Sequence, residues 1–308
     1  MKNILYTISL IVLALTGGCS KEETTTFNDY DKNWLVVEDD ANDASTHARY
    51  LFFKETGIPV FANDTIGAQQ RIDVFGKEYT HYEKLSMSYS LGGVQTGAPP
   101  LVQSFSYCNK ADVAAAITFL RQEIIPVLPQ GVHVPSIFLV DNMTSNAFGS
   151  YAFKGFNTVV IAQVSKITGM DAATRANYKA AILRALLTNT ILDSRFNSLL
   201  DKFYAVSRKY VPNMDAYGLY VYSLNATNVK GLPDGVPITT QAIGFLGTDP
   251  RNPYYTPMST WMDVCMYLEA AVANTQAQFK QKYGDNQRIM DKYAIMRHIM
   301  DQVNFKIQ

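Results

Sequence analysis

The chain has 308 residues, 47% hydrophobic, 12% aromatic and 18% charged, which is enough apolar content for a folded domain with a sizeable core. Its 27 basic residues balance its 27 acidic ones, so the electrostatic footprint of a nucleic-acid partner is missing. With only three cysteines, a disulfide-dense scaffold is excluded as well.

Met1-Lys2-Asn3 leads an apolar run over residues 4–15 that stops at Thr16-Gly17-Gly18-Cys19. A short basic start, about a dozen apolar residues and a small-residue end define an export signal, and the run is too short to span a bilayer. Leu15-Thr16-Gly17-Gly18-Cys19 resembles a bacterial lipobox, which implies acylation of Cys19 and a membrane partner reached through its acyl chains. Ser20-Lys21-Glu22-Glu23 and the polar residues behind it suit a flexible tether, and the acidic pair is similar to a surface-export signal of Bacteroidota lipoproteins. The expected organisation is a leader over 1–18, a lipidated tether over 19–34 and a folded domain over 35–308. Beyond Cys19 only Cys108 and Cys265 remain, and sequence leaves open whether they pair or stay as separate thiols.

Apolar residues at helical spacing predict a helix over 40–56, ended by Gly57-Ile58-Pro59. Residues 60–62, 71–75 and 84–91 are short β-leaning runs separated by turn formers, and a Gly- and Pro-rich loop fills 92–100. Asn109 opens a helix that runs to Ile124, before Pro126. The β-branched runs 134–140 and 157–164 read as inner strands. Asp171 opens the longest helical region, a second helix follows from 194 to about 210, and 212–257 is irregular. Two helices, 259–283 and 287–303, close the chain. The expected class is α+β: a small mixed sheet with helices in a first part, 35–193, then a helical part, 194–308.

The leader, the segment Tyr-Leu-Phe-Phe-Lys-Glu-Thr-Gly-Ile-Pro-Val-Phe-Ala-Asn over 50–63, a strand over 157–164 before a long helix, and Gly244-Phe245-Leu246 ahead of Trp261, Asp263 and Tyr267 carry a resemblance. Together they resemble the zinc metallohydrolase lipoproteins of Bacteroidota, which have zincin-like domains and stand beside outer-membrane nutrient importers. The resemblance implies a zincin-like fold, an outer-membrane, surface-facing location, an import complex as partner and zinc as cofactor.

The family's zinc motif is H-E-x-x-H, where two His one turn apart chelate the ion and the Glu activates its water. With Ile191-Leu192 aligned to the apolar pair after the motif, the five slots hold Leu186, Leu187, Thr188, Asn189 and Thr190, none of them a zinc ligand or base. Asp263 falls near the family's downstream acidic ligand. His47, His81, His133 and His298 are too scattered to substitute, so no cofactor and no catalytic residue is expected. There is no G-x-S-x-G elbow, P-loop or G-x-G-x-x-G, while paired acids for glycoside hydrolysis stay open among 27 carboxylates.

The positive signal is aromatic: 19 Tyr and 16 Phe, with Tyr217, Tyr220, Tyr222, Tyr254 and Tyr255 gathered in the irregular segment. Tyrosines supply stacking area and a hydroxyl together, which fits a glycan or peptide ligand, and they equally fill a half-wet loop surface. The expected function is a non-catalytic surface lipoprotein that binds a nutrient or an import partner. The alternative is an active hydrolase whose site lies outside the missing motif.

Overall fold

The first helix, α1, Ala44–Thr56, begins where the Asp43 carboxylate accepts from the amides of Ser45 and Thr46. It ends at Gly57, whose φ of 72° favours glycine. These coordinates are a computed structural model that describes residues 32–87, 102–145 and 149–305. The leader 1–18, Cys19, most of the tether, residues 88–91 of the third predicted strand and the loop 92–100 lie outside the described residues. From Trp34 onward the chain forms one compact unit.

Seven strands follow among the described residues: β1 Val60–Phe61, β2 Thr65–Ile72, β3 Glu78–Lys84, β4 Val102–Tyr107, β5 Ile137–Ser145, β6 Ala152–Lys154 and β7 Val159–Ile161. The main sheet runs β1-β5-β7-β6, with β1, β5 and β7 parallel, β6 antiparallel to β7, and β4 antiparallel to the later half of β5. Strand alternation divides its side chains between two cores. Val60, Ile137, Leu139, Val159 and Ile161 face the larger, helix-covered core. Phe61, Phe138, Val140 and Val160 face a smaller one that also takes Val37 and Leu85.

β2 and β3 form a separate two-stranded ribbon. The predicted strand over 71–75 is cut short: pairing stops at Ile72, and Val74 and Phe75 occupy the turn that Asp73 and Gly76 close. Neither β4 nor β6 is among the strands predicted from sequence; β6 is three residues long and is held in place by β7.

The helices are α2 Lys110–Phe119, α3 Ala172–Ile191, α4 Asn197–Arg208, α5 Thr260–Ala273, α6 Gln276–Tyr283 and α7 Gln287–Gln302. α2 runs on through a π turn, Leu120–Ile124, into a 3-10 turn that accommodates Pro126. The predicted helix over 259–283 is in fact two. Asn274 is extended, and Thr275 starts α6 with a capping box in which its side chain and Gln278 exchange bonds with each other's backbone. α3 packs along α5 and covers β6, so the sheet-bearing and helical halves share the large core. The described chain is therefore mixed α+β. No helix among the described residues is long and apolar enough to cross a membrane.

Candidate functional site

The middle of α3 is apolar almost all round: Ala180–Leu187 are all buried, as suits a helix segment enclosed by a sheet and other helices. Two polar residues interrupt it on one face a turn apart, Arg184 and Thr188. That face looks into a cleft of about 690 Å³, a size that suits a small ligand. Ala185 and Asn189 lie beside them, Phe153 and Lys154 of edge strand β6 form one wall, and Trp261 and Cys265 of α5 form another. His133, Phe156 and Asn157 complete the rim.

Arg184 organises this place. Its side chain is 5% exposed, its Nε donates to Glu269 Oε2 at 2.6 Å and its Nη2 donates to the Ala152 carbonyl at 3.1 Å, so one guanidinium ties α3 to α5 and to β6. The Thr188 hydroxyl donates to the Arg184 carbonyl at 2.7 Å and lies 3.3 Å from Cys265 Sγ. Its only proton is thereby committed, so the Cys265 thiol is the donor of that second contact. Burial pushes the Cys265 thiol up to about 11, which keeps it protonated at neutral pH. Burial also lowers Lys154 from the ordinary lysine range.

The donor set here does not fit zinc. At the i, i+4 positions stand a permanently charged guanidinium and a neutral hydroxyl, with a methyl group at Ala185 where a base would be needed. Among the described residues no three His, Cys, Asp or Glu side chains lie close enough together to hold a metal.

The motif register laid over residues 186–190 falls two residues late for this cleft. Leu186 and Leu187 point into the large core, at 3% and 0% exposure, and Thr190 does not line the cleft. The residues of α3 that line it are Arg184, Ala185, Thr188 and Asn189.

Asp263 lies elsewhere too, fully buried and paired with the equally buried Lys292 of α7. The Tyr217 hydroxyl donates to Asp263 Oδ2 at 2.8 Å, and Lys292 Nζ also donates to the Ser207 hydroxyl at 3.0 Å. Four rings surround the ammonium, the nearest being Phe203 at 4.3 Å and Phe245 at 4.7 Å. Burial raises Asp263 and lowers Lys292, and each partner's charge pulls the other back toward the ionised form. The second carboxylate oxygen of Asp263 has no hydrogen-bond partner. This is a structural knot joining α4, α5 and α7.

Of the singled-out tyrosines, Tyr217 is thus buried in that knot. Tyr220, Tyr222 and Tyr255 come together, with ring centroids 4.1 Å apart for Tyr220 and Tyr255 and 5.0 Å for Tyr220 and Tyr222. Tyr222 and Tyr254 are 78% and 72% exposed. The histidines stay dispersed: His47 pairs with Asp39, His81 with Glu83 and His298 with Gln302, and His133 stands on the cleft rim. Cys108 and Cys265 are separate free thiols.

Sequence reasoning missed Arg184, whose signal was available: a lone charge in an apolar helical run, one turn before a threonine. No family model, no characterised protein and no solved structure matches this chain.

Proposed function

We propose that the chain is a non-catalytic, surface-anchored lipoprotein with a zincin-like domain, and that it binds a nutrient, a glycan or a short peptide, in the cleft between α3, α5 and β6. The observation that carries this reading is the face of α3. It presents Arg184 and Thr188 at the i, i+4 spacing a zinc helix uses, with Ala185 in the base position, while the cleft keeps a ligand-sized volume, an aromatic wall at Trp261 and polar groups at Lys154, Asn157 and Asn189. A site of this composition can hold and orient a ligand: its lining offers a guanidinium, hydroxyl, amide and ammonium groups and an indole ring for hydrogen bonding and stacking.

Two measurements test it. Elemental analysis after a zinc soak should find well under one equivalent of metal, and calorimetric titration with short peptides and oligosaccharides should find a ligand whose binding is lost when Asn189→Phe fills the cleft mouth. One tight zinc equivalent together with hydrolysis of a peptide or glycoside would overturn the proposal in favour of an active hydrolase.

A further inference from the structure

The β2–β3 ribbon ends in two apolar side chains with almost no protein around them: Val74 is 94% exposed and Phe75 91%. The turn beneath them is closed on itself. The Asp73 carboxylate accepts from the amides of Phe75 and Lys77, each at 2.9 Å, the Gly76 amide donates to the Asp73 carbonyl at 3.0 Å, and the Asp73 amide donates to the Lys77 carbonyl at 2.9 Å. Gly76 at φ 81° permits this closure. The turn thus pairs the amides of Phe75, Gly76 and Lys77 internally, while the Val74 peptide groups and the carbonyls of Phe75 and Gly76, which have no partner in the turn, must stay at the hydrated level of any interface that the two side chains enter. Further down stand Ile72 and Tyr79, 60% and 42% exposed, then Tyr82 at 58%, an order of apolar tip and aromatic collar that matches the depth profile of a membrane interface.

We infer that this ribbon tip is a second membrane contact, with the Val74 and Phe75 side chains reaching the acyl region of the bilayer to which Cys19 would anchor the chain. The inference rests on the lipid-anchor reading for its setting, and the chain's geometry supplies the reach. The tether joins the folded domain at the ribbon: the Trp34 ring lies directly on Gly67 of β2, so closely that a Cβ at residue 67 would stand 2.1 Å from it. Trp34 follows Cys19 by fifteen positions, a reach of at most about 50 Å of chain, and Gly67 to Phe75 spans roughly 25 Å along the strand. The tip can therefore meet the surface that holds the anchor. A lipid bilayer fits better than a charged partner, because residues 65–84 carry Arg71, Lys77 and Lys84 against Asp73, Glu78 and Glu83, leaving no net charge to steer one. Zwitterionic lipid suffices for the same reason.

The test is bromine quenching of tryptophan in the full-length chain, produced with its own leader and reconstituted in phosphatidylcholine vesicles with brominated acyl chains. Phe75→Trp and Tyr82→Trp are compared after subtracting the parent chain, which contributes Trp34 and Trp261. Tyr82 sits about 15 Å nearer the ribbon base than the tip does, so the Phe75→Trp signal should be quenched more than about twofold as strongly. Vesicle flotation reports the anchor separately. If the chain does not float, the same variants are attached through an N-terminal histidine tag to a chelating lipid, and the quenching is read there. Equal quenching at both positions, or none at Phe75→Trp on a vesicle-bound chain, overturns the inference, including the case in which the tip is covered by a protein partner.

Discussion

Removing the Lys292 ammonium should be the most damaging single change in the helical half. Lys292 and Asp263 are both fully buried, and only the Tyr217 hydroxyl would remain to hold the carboxylate, whose second oxygen already has no partner. Lys292→Met keeps most of the stem volume against Phe203 and Phe245 but deletes the charge. Leaving one member of a buried pair uncompensated costs about 3–5 kcal/mol. Loss of the ammonium over the four rings belongs within that figure, at about 1 kcal/mol. Such a loss is a large share of the 5–15 kcal/mol typical of a folded domain.

Urea unfolding reads the loss as a lower midpoint at unchanged slope. The deficit should depend on pH in one direction. In Lys292→Met nothing but Tyr217 opposes burial, so the folded Asp263 carboxyl titrates above its unfolded value near 3.9. Between those two values the folded state binds more protons than the unfolded state, and stability falls as pH rises. The gap between variant and parent is therefore smallest at and below about pH 4 and widens toward neutrality. Asp263→Asn in the Lys292→Met background, which removes the stranded charge and keeps an acceptor for Tyr217, should restore most of the loss. A deficit below about 1 kcal/mol, or one that does not change with pH, would refute the picture of a desolvated, charge-compensated knot.

Four further outcomes follow from particular contacts. The triple change Arg184→His, Ala185→Glu and Thr188→His should give a folded protein that takes up about one zinc equivalent, with Cys265 beside residue 188 as a further donor; elemental analysis decides it. The same motif at Leu186→His, Leu187→Glu and Thr190→His should fail to fold, because each buried leucine lost costs about 2–5 kcal/mol and polar groups replace them; circular dichroism shows which. Gly67→Val should displace Trp34 from β2 and shift its emission to the red, with a stability loss of about 1–3 kcal/mol. Thiol titration of the native protein at pH 8 should find Cys108 reacting faster than Cys265, since Cys265 is buried with its thiol pushed up to about 11 while Cys108 is only partly covered; equal rates would show that α3 and α5 open readily.

The elements legible in the sequence are those with a local cause. Asp171 and Asn286 each cap a helix where a capping residue precedes an apolar period, whereas the helix predicted from residue 40 starts only at Ala44, where Asp43 caps it; the β-branched runs at Ile137–Val140 and Val159–Ile161 form the buried parallel strands. β6 was not legible: Ala152–Lys154 is three residues long and becomes a strand only because β7 offers it a partner. The break between α5 and α6 was missed for the opposite reason. Apolar periodicity carries across Asn274, and only the pairing of Thr275 with Gln278 marks a new start. At the ribbon, Arg71 to Phe75 has strand composition throughout, yet Asp73 and Gly76 turn the chain beneath Val74, so composition described the residues and the turn chemistry decided their place.

The two-residue offset between the motif slots read at 186–190 and the face of α3 that lines the cleft has a physical origin. An apolar anchor such as Ile191-Leu192 locates a motif only if one helix face is apolar and the other is not, and α3 buries every residue from Ala180 to Leu187. With hydrophobicity nearly uniform around the helix, its period carries no phase. Phase resides instead in the exceptions. A charge in such a helix must find a partner, so Arg184 has to face whichever neighbour can supply a carboxylate, and Glu269 of α5 does so at 2.6 Å. Thr188, one turn on, shares that face, and the cleft follows from the pair. The same logic applies to α7, where Lys292 is the charge that fixes which side meets Asp263. In these two helices the few buried charges set the orientation and the apolar majority holds them in place.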